Sequence, residues 1–191
     1  MKQLFFFLSI SLFAITFSSC NDDDDDTNVN NAEFGYDLGP NTAPFFGIGV
    51  HEAAARFNST VTSPFVGQKL DRVEFYLVNT PSNTKVVIYD EGTATQPGPQ
   101  LYSADVTVDV NANSWNTHTI SQDIDITGRD LWIAIEFTHP DERNTIGCDV
   151  GPANVNGDLV LEGSELNWMT YRNFTDNAVD INWNIRGYVG E

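Results

Sequence analysis

The chain is predicted to be an all-β protein, a two-sheet antiparallel β-sandwich of jelly-roll-like form with about ten strands. Three observations predict it. Apolar and polar residues alternate over short runs. Turn signals built from Gly, Pro, Asn and Asp recur every roughly eight to twelve residues. The composition is rich in Asn, Asp, Thr, Gly and aromatic residues and poor in Lys, which suits strands and turns and leaves little for helices.

Phe45 to Val50 is an apolar run punctuated by glycine, and His51 to Phe57 continues it. Its Ala53-Ala54-Ala55 stretch reads as a strand with close backbone packing or as one short helical turn. Leu70 to Val78 sets Val73, Phe75 and Leu77 on one face and Arg72, Glu74 and Tyr76 on the other. Thr84 to Tyr89 is β-branched and reads as buried on both sides. Asp90-Glu91-Gly92 and Gln96-Pro97-Gly98-Pro99 then mark a loop.

Leu101 to Val110 alternates through Val106, Val108 and Val110, and Trp115 to Ile120 is a short strand. Ile124 and Ile126 lead to a turn at Thr127-Gly128. Leu131 to Phe137 is the strongest strand, with Trp132, Ala134 and Glu136 opposing Leu131, Ile133, Ile135 and Phe137. Asn144 to Cys148, Asp158 to Leu161, Trp168 to Tyr171 and Asp180 to Val189 complete the set.

The N-terminus has its own logic. Met1-Lys2-Gln3 carries one positive charge, Leu4 to Phe17 is almost wholly apolar, and Ser18-Ser19-Cys20 follows. A charged start, an apolar stretch and small residues form a secretory signal. The apolar stretch is about 14 residues, only about two-thirds of a ~30 Å hydrocarbon core at roughly 1.5 Å per residue, so it reads as a signal and not a permanent span. Asp22, Asp23, Asp24, Asp25 and Asp26 are adjacent carboxylates that repel one another and do not fold. The expected organisation is a signal peptide over 1–19, a modified Cys20 and acidic tether over 20–31, and one folded domain over 32–191.

The segment Phe17-Ser18-Ser19-Cys20 resembles the lipobox of bacterial lipoproteins, with Phe in place of the usual Leu. The resemblance implies that the Cys20 thiol receives a lipid and becomes the first residue of the mature chain. The run Asp22 to Asp26 resembles the acidic signal that sends lipoproteins to the outer face of the outer membrane in one group of Gram-negative bacteria. Together these imply a lipid-anchored, surface-exposed location, with the membrane contacted through the lipid alone.

Charge narrows the partners. Nine Lys+Arg stand against 27 Asp+Glu, a net charge of −18. Such a surface repels phosphate backbones, which argues against nucleic acid, and it disfavours adsorption to anionic lipid. Calcium, cationic partners and neutral sugars suit it better. If Cys20 carries a thioether, Cys148 is the remaining thiol, which excludes a disulfide framework. Cys148 reads as a small buried apolar residue.

No catalytic residue is assigned. His51-Glu52 begins like a zinc-protease motif, but Ala55 stands where the second His is needed. His118 and His139 lack ligand spacing, and no carboxylate pair is singled out for glycoside hydrolysis.

Two candidate sites remain. Asp149, Asn154, Asn156 and Asp158 crowd one Gly-rich loop and supply the oxygens that calcium requires; the same residues also serve as turn formers that bond their own backbone. Trp168, Tyr171 and Arg172 form an aromatic and cationic stretch flanked by polar loops, which places it at an edge of the sandwich with Trp168 and Tyr171 at least partly exposed. Trp115 and Trp183 lie near Asn116 and Asn184, which could bond hydroxyls. Trp132 and Trp183 are expected in the core.

From Tyr36 to Tyr188 the order of motifs resembles a β-sandwich module found in secreted and surface proteins, attached to peptidases and hemagglutinin-like adhesins. Its pieces are Tyr36-Asp37-Leu38-Gly39, Ala53-Ala54-Ala55-Arg56-Phe57, Leu70-Asp71-Arg72-Val73-Glu74-Phe75, Pro97-Gly98 before Leu101-Tyr102, Ser114-Trp115-Asn116, Asp130-Leu131-Trp132-Ile133-Ala134, Gly147-Cys148-Asp149-Val150-Gly151-Pro152 and Asn182-Trp183-Asn184-Ile185-Arg186-Gly187-Tyr188. The resemblance implies a sandwich fold and an accessory role outside the cell, with no ligand site to carry over. The expected function is a surface binding or adhesion module for glycan or extracellular protein. The alternatives are a structural subunit of a cell-surface complex and, third, a hydrolase.

Overall fold

A computed structural model describes residues 32–163, 165 and 167–190. Cys20 and Asp22 to Asp26 lie outside these residues. Among the described residues there are twelve strands: β1 (Ala32–Gly35), β2 (Phe45–Phe46), β3 (Gly49–Phe57), β4 (Lys69–Leu77), β5 (Asn83–Tyr89), β6 (Gln100–Asp105), β7 (Ser114–Thr119), β8 (Leu131–His139), β9 (Arg143–Asn144), β10 (Leu159–Leu161), β11 (Met169–Thr170) and β12 (Ile185–Gly190). Two single helical turns, α1 (Ser59–Thr62) and α2 (Tyr171–Phe174), and a 3-10 turn at Ser63–Phe65 accompany them.

One sheet runs β1-β12-β4-β7 and the other β11-β10-β3-β8-β5-β6, with a small β2-β9 pair beside them. All the strand pairings are antiparallel. The chain passes back and forth between the sheets, so strands distant in sequence become neighbours, as β1 and β12 do. Removing the short β2, β9, β10 and β11 leaves eight strands in two four-stranded sheets, which is the jelly roll.

Local sequence explains the elements. In β4, Leu70, Val73, Phe75 and Leu77 are buried while Arg72, Glu74 and Tyr76 alternate outward. The Ala53-Ala54-Ala55 run is strand, not helix: it pairs with Ile135, Ala134 and Ile133 of β8, and the small side chains allow burial of both faces. Asn58 ends β3 by accepting from the backbone N–H groups of Thr60 and Val61, starting α1.

Several expected strands are shorter. Asp105 ends β6, and Val108 is 93% exposed, so the valine alternation belongs to a turn. Of Asn144 to Cys148 only Asn144 lies in a strand, with isolated bridges at Ile146 and Cys148. The Trp168 to Tyr171 strand contracts to Met169–Thr170 because Thr170 caps α2 through its hydroxyl, which accepts from the Asn173 N–H. The closing strand begins at Ile185.

The main core lies between the sheets and contains Phe57, Phe75, Leu77, Ile133, Ile135, Phe137, Cys148 and Trp183. A second apolar cluster holds Ala54, Val87, Trp132, Ala134, Leu159 and Trp168, on the opposite face of the six-stranded sheet. That face is therefore partly covered, which is why β8 reads as buried on both sides over its first five residues.

Candidate functional site

The 168–172 stretch does sit at a sheet edge, on β11 and α2, but its aromatic rings do not face solvent. Trp168 and Tyr171 are each only 5% exposed. Trp168 joins the second cluster, edge-on to Trp132 at 5.7 Å between centroids. Tyr171 enters the main core against Trp183 at 5.1 Å and Phe46 at 6.1 Å, and burial pushes its phenol up to about 12. The expected exposure of both rings is thus corrected: each face of the six-stranded sheet is covered at this end, and the two residues fill one face each. Trp132 and Trp183 are fully buried, as expected.

The oxygen-bearing residues of the 149–158 loop are engaged in different hydrogen bonds. Asp149 is buried and its carboxylate is saturated. Oδ1 accepts from the Gly151 and Asn182 N–H groups, and Oδ2 from the Leu38 N–H and the Asn182 amide. Asn154 accepts from the Asn156 N–H in a local turn, and Asn156 accepts from the Arg56 guanidinium. Among the described residues no group of three or more His, Cys, Asp or Glu could hold a metal ion. Asp149, Asn154 and Asn156 act here as turn formers and braces.

Asn154, Asp158 and Arg172 are nevertheless brought together. With Thr170, Asn173 and Asn177 they line a cavity of about 290 Å³.

The half-buried aromatic pair lies elsewhere, on the outer face of the four-stranded sheet. Tyr76 of β4 and Trp115 of β7 are direct cross-strand partners, with centroids 5.8 Å apart and planes at 78°. Arg186 of β12 lies over the Trp115 ring at 4.3 Å, a cation–π contact. Asp37 fixes the Arg186 fork, accepting from Nε at 3.0 Å and from Nη2 at 2.9 Å. The rings are thus held by a chain of contacts from β1's following turn to β7.

Beside Tyr76 is a groove of about 360 Å³ whose other walls include Pro40, Asn41, Thr42, Asn113 and Asn144. Its frame is rigid. Tyr76 accepts from the Gly147 N–H at 2.9 Å and donates to Asn184 at 3.1 Å through the backbone, while Thr42 and Cys148 exchange backbone bonds. Gly147 is required here, because a Cβ would stand 2.9 Å from the Tyr76 ring and 2.8 Å from the Asn184 amide oxygen. Asn144 donates to the Ala43 carbonyl at 2.8 Å, which leaves its amide oxygen as an acceptor. Amides, a hydroxyl and an aromatic ring on a fixed frame can meet a polyol: the ring stacks on apolar C–H faces and the amides bond hydroxyls. From sequence Trp115 is a candidate beside Asn116, whereas Tyr76 is only an outward-facing position. The signal available was the alternation of β4, which put Tyr76 outward.

The remaining reactive groups are less suited to chemistry. Burial pushes the Cys148 thiol up to about 12, so it is a poor nucleophile. The strand places His51 inward and Glu52 outward, which separates the two residues of the protease-like pair. Glu52 stands opposite Glu136 across β3 and β8, with Tyr89 donating to Glu52 at 2.7 Å and Lys85 donating to Glu136 at 2.7 Å. Burial raises the Glu52 carboxyl. A further cavity of about 200 Å³ includes Asp90, Arg129 and Asp130, whose charges are spent on ion pairs within the chain.

No family model matches the chain, and no curated protein matches it. A solved structure resembles it: the cysteine protease and lectin-like domains of Cwp84, a surface layer associated protein of Clostridium difficile, with a TM-score of 0.52 and 12% sequence identity. The match covers 80% of this chain and 36% of that one, so the chain spans about a third of the protein it resembles. At this identity the likeness is one of fold.

Proposed function

We propose that this chain is a carbohydrate-binding module displayed on the cell surface, tethered to the outer membrane by a lipid on Cys20 and sent outward by Asp22 to Asp26. The observation that carries the reading is the Tyr76 groove: a half-buried ring, braced by Trp115 and Arg186, beside Asn41, Thr42, Asn113 and Asn144. Its volume of about 360 Å³ lies at the lower end of the roughly 300–1,000 Å³ typical of small-ligand sites, enough for a short stretch of glycan. A sandwich fold shared with a protein that carries a lectin-like domain supports the same reading. The role is accessory and non-catalytic.

The soluble domain, residues 31–191, is to be probed on a glycan and protein array. Oligosaccharide hits that Tyr76→Ala removes support the proposal. Hits confined to proteins favour the second reading, a structural subunit of a surface complex. That reading has its own observation: Phe45, Ile48 and Val50, close together in sequence, are 71%, 71% and 47% exposed.

A further inference from the structure

The Tyr76 groove differs from the surface around it. The chain carries 27 Asp+Glu, yet none of the residues that line the groove is an acid, a lysine, an arginine or a histidine. Charges next to it are held within the chain. Arg186, stacked on Trp115, engages all three guanidinium nitrogens: Nε and Nη2 donate to Asp37, and Nη1 lies 3.2 Å from Glu33. The Asp37 side chain is fully buried and also accepts from the Gly39 N–H and the Asn184 amide, each at 2.9 Å. Glu74, in β4 with Tyr76, accepts from the Tyr188 hydroxyl at 2.9 Å, and Arg143, next to Asn144, donates twice to Asp141. Glu142 is exposed, where solvent and salt screen it. The walls themselves offer side-chain amides, a hydroxyl and a ring.

Resting on the reading of this groove as a glycan site, we propose that its ligand is an uncharged glycan, and that the groove turns away acidic sugars and sugars with a free amine alike. A carboxylate or sulfate seated against Tyr76 would give up hydration with no free cation to meet it, in the field of a chain whose net charge is −18. An ammonium would find amide oxygens on the walls but no carboxylate. A hydroxyl both donates and accepts, as a side-chain amide does, so the two match without any charge to neutralise. Net charge alone favours cationic partners; rejection of amines is a property of these walls. Two exposed amides, Asn41 and Asn113, keep them neutral. Asn113 sits at φ 52°, a left-handed conformation that Asn and Asp both tolerate, so the amide there can become a carboxylate without a change of turn.

The test is an array on which each neutral oligosaccharide stands beside a charged counterpart: N-acetylchitotetraose beside its free-amine form, and galactotetraose beside tetragalacturonate. It is probed at a pH that protonates the amine and ionises the uronate, and the hits are titrated at about 0.01 M and about 1 M salt. The expected hits, those that Tyr76→Ala removes, are neutral. Each should bind at least about tenfold tighter than its charged counterpart, with affinities at the two salt concentrations within about twofold. Asn113→Asp should shift the ratio of free-amine to neutral binding at least about tenfold toward the amine. Asn41→Lys should shift the ratio of uronate to neutral binding as far toward the uronate. Both positions are exposed, so both variants should keep the wild-type melting temperature. A charged member that binds as tightly as its neutral counterpart and is lost in Tyr76→Ala overturns the choice of ligand class and leaves the glycan reading standing. Ratios that neither variant shifts overturn it in the same way. No hit that Tyr76→Ala removes would overturn both.

Discussion

Trp168 packs edge-on against Trp132, with centroids 5.7 Å apart and planes at 70°, on the side of the six-stranded sheet that faces away from the main core. Both rings are structural. Trp168→Ala and Trp132→Ala should each cost about 3–5 kcal/mol by cavity formation, read as a lowered denaturant midpoint. Neither should change glycan affinity measured on the folded fraction. Loss of affinity in a stably folded Trp168→Ala variant would place a ligand contact where the structure puts a core ring.

Asp149 holds the 149–182 turn together with four N–H bonds to a buried carboxylate. Removing it leaves those donors unpaired. Asp149→Ala should therefore cost about 3 kcal/mol or more. Since the carboxylate is already satisfied, melting curves of the wild-type domain with calcium and with chelator should coincide. A calcium-dependent rise lost in Asp149→Ala would restore a metal role for this loop.

The histidines make stability depend on pH in opposite senses. Burial, with Arg143 and His51 nearby, pushes His139 down to about 4. Unfolding returns it to about 6.5, so protons bind the unfolded chain more readily and stability falls as pH drops from about 6.5 toward 4. Burial lowers His118 as well, in the same sense. For His51, burial is outweighed by the Glu162 carboxylate at 3.1 Å and the Gly47 carbonyl, so its value is raised. That contribution is complete below about 6.5 and is lost as pH rises through the folded value. His139→Gln should flatten the acid limb of a melting-temperature profile, and Glu162→Gln should flatten the limb above neutrality. An unchanged acid limb in His139→Gln would mean that carboxylates alone set it.

The proposed anchor makes a separate prediction. Cys20→Ser should abolish lipid incorporation and release the protein from the detergent phase. Replacing Asp22 to Asp26 with Ala should keep the lipid but lower protease accessibility on intact cells. Unchanged accessibility would reduce the acidic run to a spacer.

Much of the fold was legible because one sheet face is apolar and the other polar. The alternation of β4 states which residues point inward, and it constrains the register as well. The order β1-β12-β4-β7 was not legible residue by residue, since pairing between chain ends leaves no local trace. The Trp168–Trp132 cluster escaped for a related reason. A polar neighbourhood suggested solvent, but burial there comes from packing on the sheet's second face, which no periodicity in 168–172 reports. Asn154 and Asn156 illustrate the ambiguity of turn residues. The oxygens that suit a cation also suit a backbone N–H two residues away, and the local bond is the one that forms. Tyr76 was visible only as an outward residue, because its groove is assembled from segments near 41, 113 and 144.

Whether the Tyr76 groove holds a glycan is tested most directly by affinity for the best array oligosaccharide in wild type, Tyr76→Ala and Trp168→Ala, with unfolding measured alongside. Tyr76→Ala should weaken binding by about tenfold or more, the scale of one lost aromatic contact, while its stability falls less than that of Trp168→Ala. Full affinity in Tyr76→Ala would contradict it.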